Sequence, residues 1–527
     1  MNEFIGPFLG VMPRVSPELL SPGYAQVAQN CSVVSGILEP SKLPLATAIG
    51  VQSGTKTIYW FNREANGGLG YWFQWANVVS VIRGQIANDS FLRTYIFGDG
   101  VPKYTTSSIA TSGGGPYPSV VRTLGLPAPN APVATGPAGT LPSGSTKIST
   151  AYVMTYVSDI GEESVPGPAS NIVDRWDGAS VELAGLSVAS GSFVVTLKRI
   201  YRIELNNVFQ YVGSVGAATT TFTDNIDTEF LGEPVPSETW NAPFSGMVGA
   251  TSLPNGGIVG WWGNTLAFCV PYQPHAWPID YRLALDYDIV GAAVSAQGII
   301  VCTAGAPYLI TGSTPEGMAQ NKMDTVAACV SAQSIVDMGE YILYAGSDGL
   351  IAAGGLSAEL ITKSYMTPEQ WRTSVSPSTL KGYRYKDYYL GFYSGGSFAF
   401  HPQQGFLFFT DTADCGLIDD KTGSLYIKQG TTLKKWNEGT AATYRWRSRI
   451  IRLNTVSPFS CARLDAKAYP VTVRFYADGV LIKTKSVLSK KAFRLPNLSG
   501  YYNAEVEVES SNSIVSLQLS SSMSELS

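Results

Sequence analysis

About one residue in six of this 527-residue chain is glycine or proline, 54 and 31 of them, and that punctuation constrains the fold more than any other feature. Proline is excluded from helix interiors and central strands, and glycine weakens both, so regular elements have to be short. The runs between the breaks suit strands. Residues 57–61 (Thr-Ile-Tyr-Trp-Phe), 71–75 (Tyr-Trp-Phe-Gln-Trp) and 93–97 (Arg-Thr-Tyr-Ile-Phe) are separated by Asn66-Gly67-Gly68 and Gly98-Asp99-Gly100, which predicts antiparallel meanders joined by tight turns. Charged residues at 14% and aromatics at 11% exclude a disordered chain, and glycine without a three-residue period excludes collagen. The length allows several domains, each with its own core.

Along the chain the expected organisation is all-β. Residues 1–50 read as an extended arm, because Pro7, Pro13, Pro17, Pro22, Pro40 and Pro44 leave room for a helical turn only over 23–30. Meanders over 51–126 form the first part of an interrupted β-propeller. The Pro-rich run Leu126-Pro127-Ala128-Pro129-Asn130-Ala131-Pro132 then opens an insert over 127–240, whose five or more short strands suit one fibronectin-III-like or Ig-like β-sandwich. The propeller resumes over 241–440, with apolar runs at 258–264, 298–302, 340–344, 388–393 and 405–409 spaced like degenerate blades. One helix start is well formed, Thr367-Pro368-Glu369-Gln370. Residues 441–527 alternate most cleanly: Tyr444, Trp446, Ser448 and Ile450 share one face and Arg445, Arg447 and Arg449 the other, while Ala504, Val506 and Val508 oppose Glu505, Glu507 and Glu509. A separate C-terminal β-sandwich follows.

The net charge is −4, but residues 432–494 carry fourteen Lys and Arg against Glu438, Asp465 and Asp478, so one end is basic and the remainder acidic. Arg445, Arg447, Arg449 and Arg452, with Lys483 and Lys485, are expected to lay a basic surface across one sheet. It is either a face solvated or packed on acidic neighbours, or a contact for DNA phosphates or an acidic partner. Six cysteines lie far apart without a CxxC pair, which argues against zinc and for reduced core thiols formed in a reducing cytosol. The N-terminus lacks a secretory pattern, and the uncharged stretches 258–279 and 289–312 are interrupted by Pro, Gly, Ser and Gln, which predicts buried strands and no membrane insertion.

No catalytic, cofactor or metal residues are expected, and the chain is read as not an enzyme. His275 and His401 lack a nucleophile elbow and read as turn or surface histidines. Asp286 and Asp288 are expected on one face of a strand, and Asp419-Asp420 and Ser347-Asp348-Gly349 in turns.

The segment Gly6-Pro7-Phe8-Leu9-Gly10-Val11-Met12-Pro13-Arg14, followed by Leu19-Leu20-Ser21-Pro22-Gly23-Tyr24-Ala25-Gln26-Val27-Ala28-Gln29-Asn30 and Gly36-Ile37-Leu38-Glu39-Pro40-Ser41-Lys42, resembles the start of nozzle, or tail tubular, proteins of short-tailed bacteriophages. Trp262-Gly263-Asn264-Thr265-Leu266-Ala267-Phe268, Ala276-Trp277-Pro278 and residues 303–312 are similar to propeller segments of that family. The resemblance implies a structural subunit of the virion tail, assembled in the host cytoplasm as a homohexameric ring below the portal and adaptor. It implies tail fibres or spikes as neighbours and genome DNA passing through the bore during ejection. Within that reading Phe4, Ile5, Phe8, Leu9 and Arg14 of the arm are expected to meet a neighbouring subunit or the adaptor. The competing expectations are a host-glycan-binding tail fibre or hub and, third, a polysaccharide depolymerase.

Overall fold

In the computed structural model, which describes residues 2–190, 193–453, 459–496 and 500–526, the chain is all-β, with two short α-helices and several single 3-10 turns among the described elements. Most strands lie in four-stranded antiparallel sheets. The chain divides into two compact units: residues 1–58, 290–311 and 320–527 form one, and residues 59–289 with 312–319 the other.

In the first unit, blade-like meanders follow one another. One comprises Val336–Asp337, Ile342–Ala345, Leu350–Gly354 and Ser357–Leu360. The next comprises Lys381–Tyr385, Tyr388–Tyr393, Gly396–His401 and Gly405–Phe409. The last has three strands in sequence, Gly416–Ile418, Leu425–Gln429 and Thr432–Lys435, and takes its fourth from the arm, Leu45–Gly50. The helix Pro368–Val375 begins as its sequence predicts. Thr367 Oγ1 accepts from the Gln370 N–H, Gln370 Oε1 accepts from the Thr367 N–H, and Pro368 occupies the first turn. The buried Trp371 on that helix donates its indole N–H to the Gly346 carbonyl.

The arm is where the structure departs most from expectation. Residues 23–30 make no helical turn: Ala25–Gln29 is a strand, parallel to Gly405–Phe409 on one side and antiparallel to Tyr444–Ser448 on the other. The last full meander therefore continues through the arm into the C-terminal strands as one ten-stranded sheet, and the C-terminal sandwich is not separate from it. Ladder partners about four hundred residues away in sequence override a weak local helical preference. Two motif residues show why the local sequence is as it is. A side chain at Gly10 would place its Cβ 2.4 Å from the Phe406 carbonyl oxygen. Gly23, at φ +91°, would place one 2.5 Å from the Pro7 carbonyl, so both positions require glycine.

The opposing C-terminal sheet orders Asn2–Ile5, Ile514–Ser520, Cys461–Ala466 and Phe493–Arg494. Between the two sheets lie Trp446, Val473, Phe475, Val506, Leu464 and Leu517, joined by Phe8 of the arm. Phe8 meets Trp446 edge to face at 4.9 Å, and the Trp446 N–H donates to the Leu9 carbonyl.

In the second unit, the strands Ser80–Arg83, Thr94–Phe97, Lys103–Thr105 and Arg122–Thr123 form one meander and Gly249–Ser252, Ile258–Trp262, Thr265–Phe268 and Arg282–Ala284 another. Between them in sequence lies the insert, a sandwich of seven strands. Val133–Thr135, Val181–Ala184 and Phe222–Asp224 form one sheet; Val173–Arg175, Ile148–Ser158, Val195–Ile203 and Phe209–Gly216 form the other. Its core is built on Tyr152, Met154, Tyr156, Val181, Leu183 and Ile200. Asp286 and Asp288 lie in a bend after Arg282–Ala284 rather than on a strand, so strand alternation does not align them. The stretches 258–279 and 289–312 are strands and turns, and no helix among the described residues is long and apolar enough to cross a membrane.

Candidate functional site

Three assemblies of functional side chains can be built from this framework. The first is the basic surface expected at the C-terminal end. Arg445 and Arg447 project from Tyr444–Ser448 opposite the strand Asn503–Ser510, which places Glu505, Glu507 and Glu509 on the same face. Arg445 binds Glu507 at 2.7 Å and Arg447 binds Glu505 at 2.8 Å. Arg474, on the strand beyond, binds Glu507 at 3.0 Å and Glu509 at 2.7 Å, and Arg449 binds Glu3 of the arm at 2.9 Å. Arg447 also stacks 4.1 Å from the Tyr476 ring centroid. Each of these four arginines has a carboxylate, so their charge is balanced.

Lys483 and Lys485 do not extend it. In the ladder between Val471–Ala477 and Val480–Val487, Lys485 pairs with Val473 and Lys483 with Phe475. Directly opposed residues share a face, and Val473 and Phe475 face the core. The two lysines therefore reach around the rim of the sandwich, Lys485 lying 5.2 Å from the Phe493 ring centroid. Arg452, exposed on the two-residue strand Ile451–Arg452, pairs opposite Asn503 of the same sheet and so lies on the face of the glutamates. Arg445, Arg447, Arg449 and Arg452 thus share one sheet face, as alternation predicts, but it is the face packed on acidic neighbours: Glu505 and Glu507 balance Arg447 and Arg445, Glu3 balances Arg449, and register takes Lys483 and Lys485 off that face.

The second assembly is the arm. Ile5 and Phe8 lie in the chain's own core, so burial of these two needs no neighbour. Leu9 is half-buried, Phe4 is 55% exposed, and Arg14 donates to the Lys363 carbonyl from the surface. Phe4, Leu9 and Arg14 are the arm positions open to a partner.

The third assembly, which no sequence pattern indicated, joins the insert to a blade. The turn Asp159–Glu163 closes the end of the long insert strand Ile148–Ser158, with Gly161 at φ +83° and the Ser158 N–H donating to the Glu162 carbonyl. Ile160 enters the blade core beside Tyr95, Phe97 and Trp277. Asp159 binds Arg122 at 2.7 Å. Glu163 accepts from Thr155, Tyr201 and Arg199. Glu162 points at His275, Oε1 to Nδ1 at 3.9 Å, and both are almost wholly buried. His275 is therefore in a turn, as expected, but buried and not on the surface; it packs edge to face on Trp240 at 5.5 Å. Burial raises the Glu162 carboxyl to about 7, against a pull from Arg93, and lowers the His275 imidazole to about 4. His401, by contrast, ends the strand Gly396–His401, where Nδ1 accepts from the Gln403 N–H.

Other candidate groups have structural work. Asp419 is buried and accepts from Thr422 and from the Lys421 N–H, the turn role expected of it. Asp348 pairs with Arg372 in its turn. All six cysteines are buried free thiols, and burial pushes Cys31, Cys269 and Cys415 up to about 12, as suits inert core positions. A cavity of about 290 Å³ beneath the arm includes Tyr385, Tyr388, Phe409 and Trp436 in its wall. Trp436 meets Tyr385 at 4.8 Å and Phe409 at 5.4 Å edge to face, so these rings are engaged with one another. Among the described residues, no three His, Cys, Asp or Glu converge as a metal site.

No family model matches the chain, and no curated protein does. Solved structures with some likeness include a streptogramin B lyase (11% identity, 68% of this chain and 98% of that one, TM-score 0.25). Another is AztD of Citrobacter koseri (9%, 69% and 99%, TM-score 0.24), and a third is PorZ of Porphyromonas gingivalis (9%, 63% and 46%, TM-score 0.24). Likenesses at this level carry no argument about what the chain does.

Proposed function

We propose that this chain is a structural subunit of the tail nozzle of a short-tailed bacteriophage, not an enzyme. Copies of it form a homo-oligomeric ring, six subunits in the family it resembles, below the adaptor, through which genome DNA leaves the virion. The observation that carries this reading is the part taken by the segment bearing the resemblance. Residues 6–42 supply the strand that joins the last full meander to the C-terminal sandwich, and Gly10 and Gly23 among them are demanded by close backbone approach. A likeness in that segment is therefore a likeness in residues that set the architecture.

In this reading the adaptor and neighbouring subunits meet the exposed parts of the arm, Phe4 and Arg14 among them, while tail fibres or spikes are further neighbours in the virion. The paired Arg–Glu face leaves little unbalanced charge to hold DNA phosphates, which suits a passage that must release its cargo. The test is to purify virions of the phage whose genome encodes the chain and label them with an antibody raised against it. The expected result is stoichiometric chain in the particle with label on the tail; a chain absent from particles and secreted free would overturn the proposal.

A further inference from the structure

The turn that seats the insert on its blade brings together a set of polar atoms that their surroundings complete only loosely, the Glu163 backbone lying beside His275, Arg93 beside Tyr95 and Asp89 beside Arg93. Glu162 Oε1, both ring nitrogens of His275, the Tyr95 hydroxyl and Arg93 Nε are buried without a hydrogen-bond partner that meets normal geometry. Burial of this kind is costly and uncommon. The four side chains come from three elements: the insert turn, the strand Thr94–Phe97 with the residue before it, and the loop after Thr265–Phe268. We propose that Glu162 and His275 hold a single proton between them, and that this proton keeps the insert seated against the blade.

The surroundings define what the pair can do. The cations facing it are Arg93, which also lies 3.5 Å from Asp89, and Arg122, held by Asp159. The facing anions are Asp159 and Asp89, each near its own arginine, and Glu163, held by Arg199 and two hydroxyls. Tyr95 and Tyr104 are the facing phenols, both raised by burial. Each nearby charge is already matched, so the pair must settle its own charge. With the carboxyl raised to about 7 and the imidazole lowered to about 4, both groups are neutral between those limits and one proton resides on the pair. A separation of 3.9 Å is closed by a small settling of the turn, which would let the carboxyl O–H donate to the imidazole. Above pH 7 the carboxyl ionises in a buried place whose arginines are already engaged, and the turn loosens.

The unfolded chain also holds one proton on these two groups near pH 5.5, but on the histidine, since the ordinary values are 4.5 and 6.5. Folding thus moves the proton without changing its number, and the variants reveal what the wild type hides. At pH 5.5, E162Q should take up about one more proton on unfolding than the wild type, and H275N should release about one more. Calorimetry in buffers of different ionisation enthalpy reads this count on the full chain. The wild type supplies a second readout that needs no variant. With only two histidines, ring-labelled protein gives two imidazole signals. The His275 signal should stay that of a neutral ring from pH 5 to 8 and shift between pH 6 and 8 as Glu162 ionises, a step missing in E162Q. A His275 ring that takes up its proton near 6.5, a step that persists in E162Q, or proton counts that move in the same direction in both variants would overturn the proposal.

Discussion

The insert interior and the outer face of the C-terminal sheet both set arginines against carboxylates, yet the two are held by different physics. Inside the insert, Arg202 binds Asp224 at 2.6 Å and Arg175 binds Glu204 at 3.1 Å. Asp224 also accepts from the Tyr152 hydroxyl at 2.7 Å, and Arg175, Arg202 and Asp224 are fully buried. On the C-terminal sheet the guanidinium side chains remain a fifth to nearly a half exposed while Glu505 and Glu507 lie beneath them. Both clusters share partners: Glu507 draws on Arg445 and Arg474, and Arg202 on Asp224 and Glu204. Depth, not the number of pairs, decides what one deletion costs, because a sealed charge that loses its partner has no water to turn to.

The largest expected break is at the sealed cluster. Asp224→Ala leaves Arg202 with Glu204 alone, at 2.9 Å, and strips the shared acceptor from the sealed Arg202 Nη1 and the Tyr152 hydroxyl, which should lower the unfolding free energy of the insert by about 3 kcal/mol, measured by denaturant midpoint and by protease cutting within 127–240. Next comes the insert turn, where the charge has no partner even in the native chain. Glu162 is held above its ordinary value, so the folded state resists ionising it. Its own contribution to stability falls as pH rises from 4.5 to 7 and stays at its lower level beyond, a fall that His275 cancels near pH 5.5 in the wild type. His275 is held below its ordinary value and acts in the opposite sense, lowering stability as pH falls from 6.5 to 4. Glu162→Gln should therefore gain on the order of 2 kcal/mol over the wild type at pH 8 and nothing at pH 4, read from thermal unfolding at both pH values. The smallest effect is expected on the outer face. Arg474→Ala leaves Arg445 on Glu507, and the loss should stay below about 1 kcal/mol and shrink in high salt. A loss as large as that of Asp224→Ala would erase the contrast between the two regions.

What the sequence disclosed and what it hid follow the same division between local and distant causes. The capped helix at Pro368–Val375 and the aromatic meanders are set by neighbours a few residues apart, and their patterns are plain in the sequence. The arm strand Ala25–Gln29 exists because of Gly405–Phe409 and Tyr444–Ser448, and a segment of Ala, Gln and Val carries no sign of partners that remote. The same holds for the basic residues. Alternation along Tyr444–Ser448 gave the arginine face correctly, but whether Lys483 and Lys485 join it depends on register with Val471–Ala477, including the shift between Phe475 and Tyr476. His275 sits among Gln273, Pro274 and Ala276, a turn-like context. Its burial is imposed by the insert turn and by Trp240, neither of which its own sequence neighbourhood announces.

The claim on which the account depends is that this chain completes itself by assembling with copies of itself around an axis. Native mass spectrometry of the purified full-length chain, with negative-stain images of the same sample, tests that directly. The account predicts a closed ring of identical subunits with a central opening, whereas a stable monomer at micromolar concentration, alone and with virion adaptor present, would contradict it.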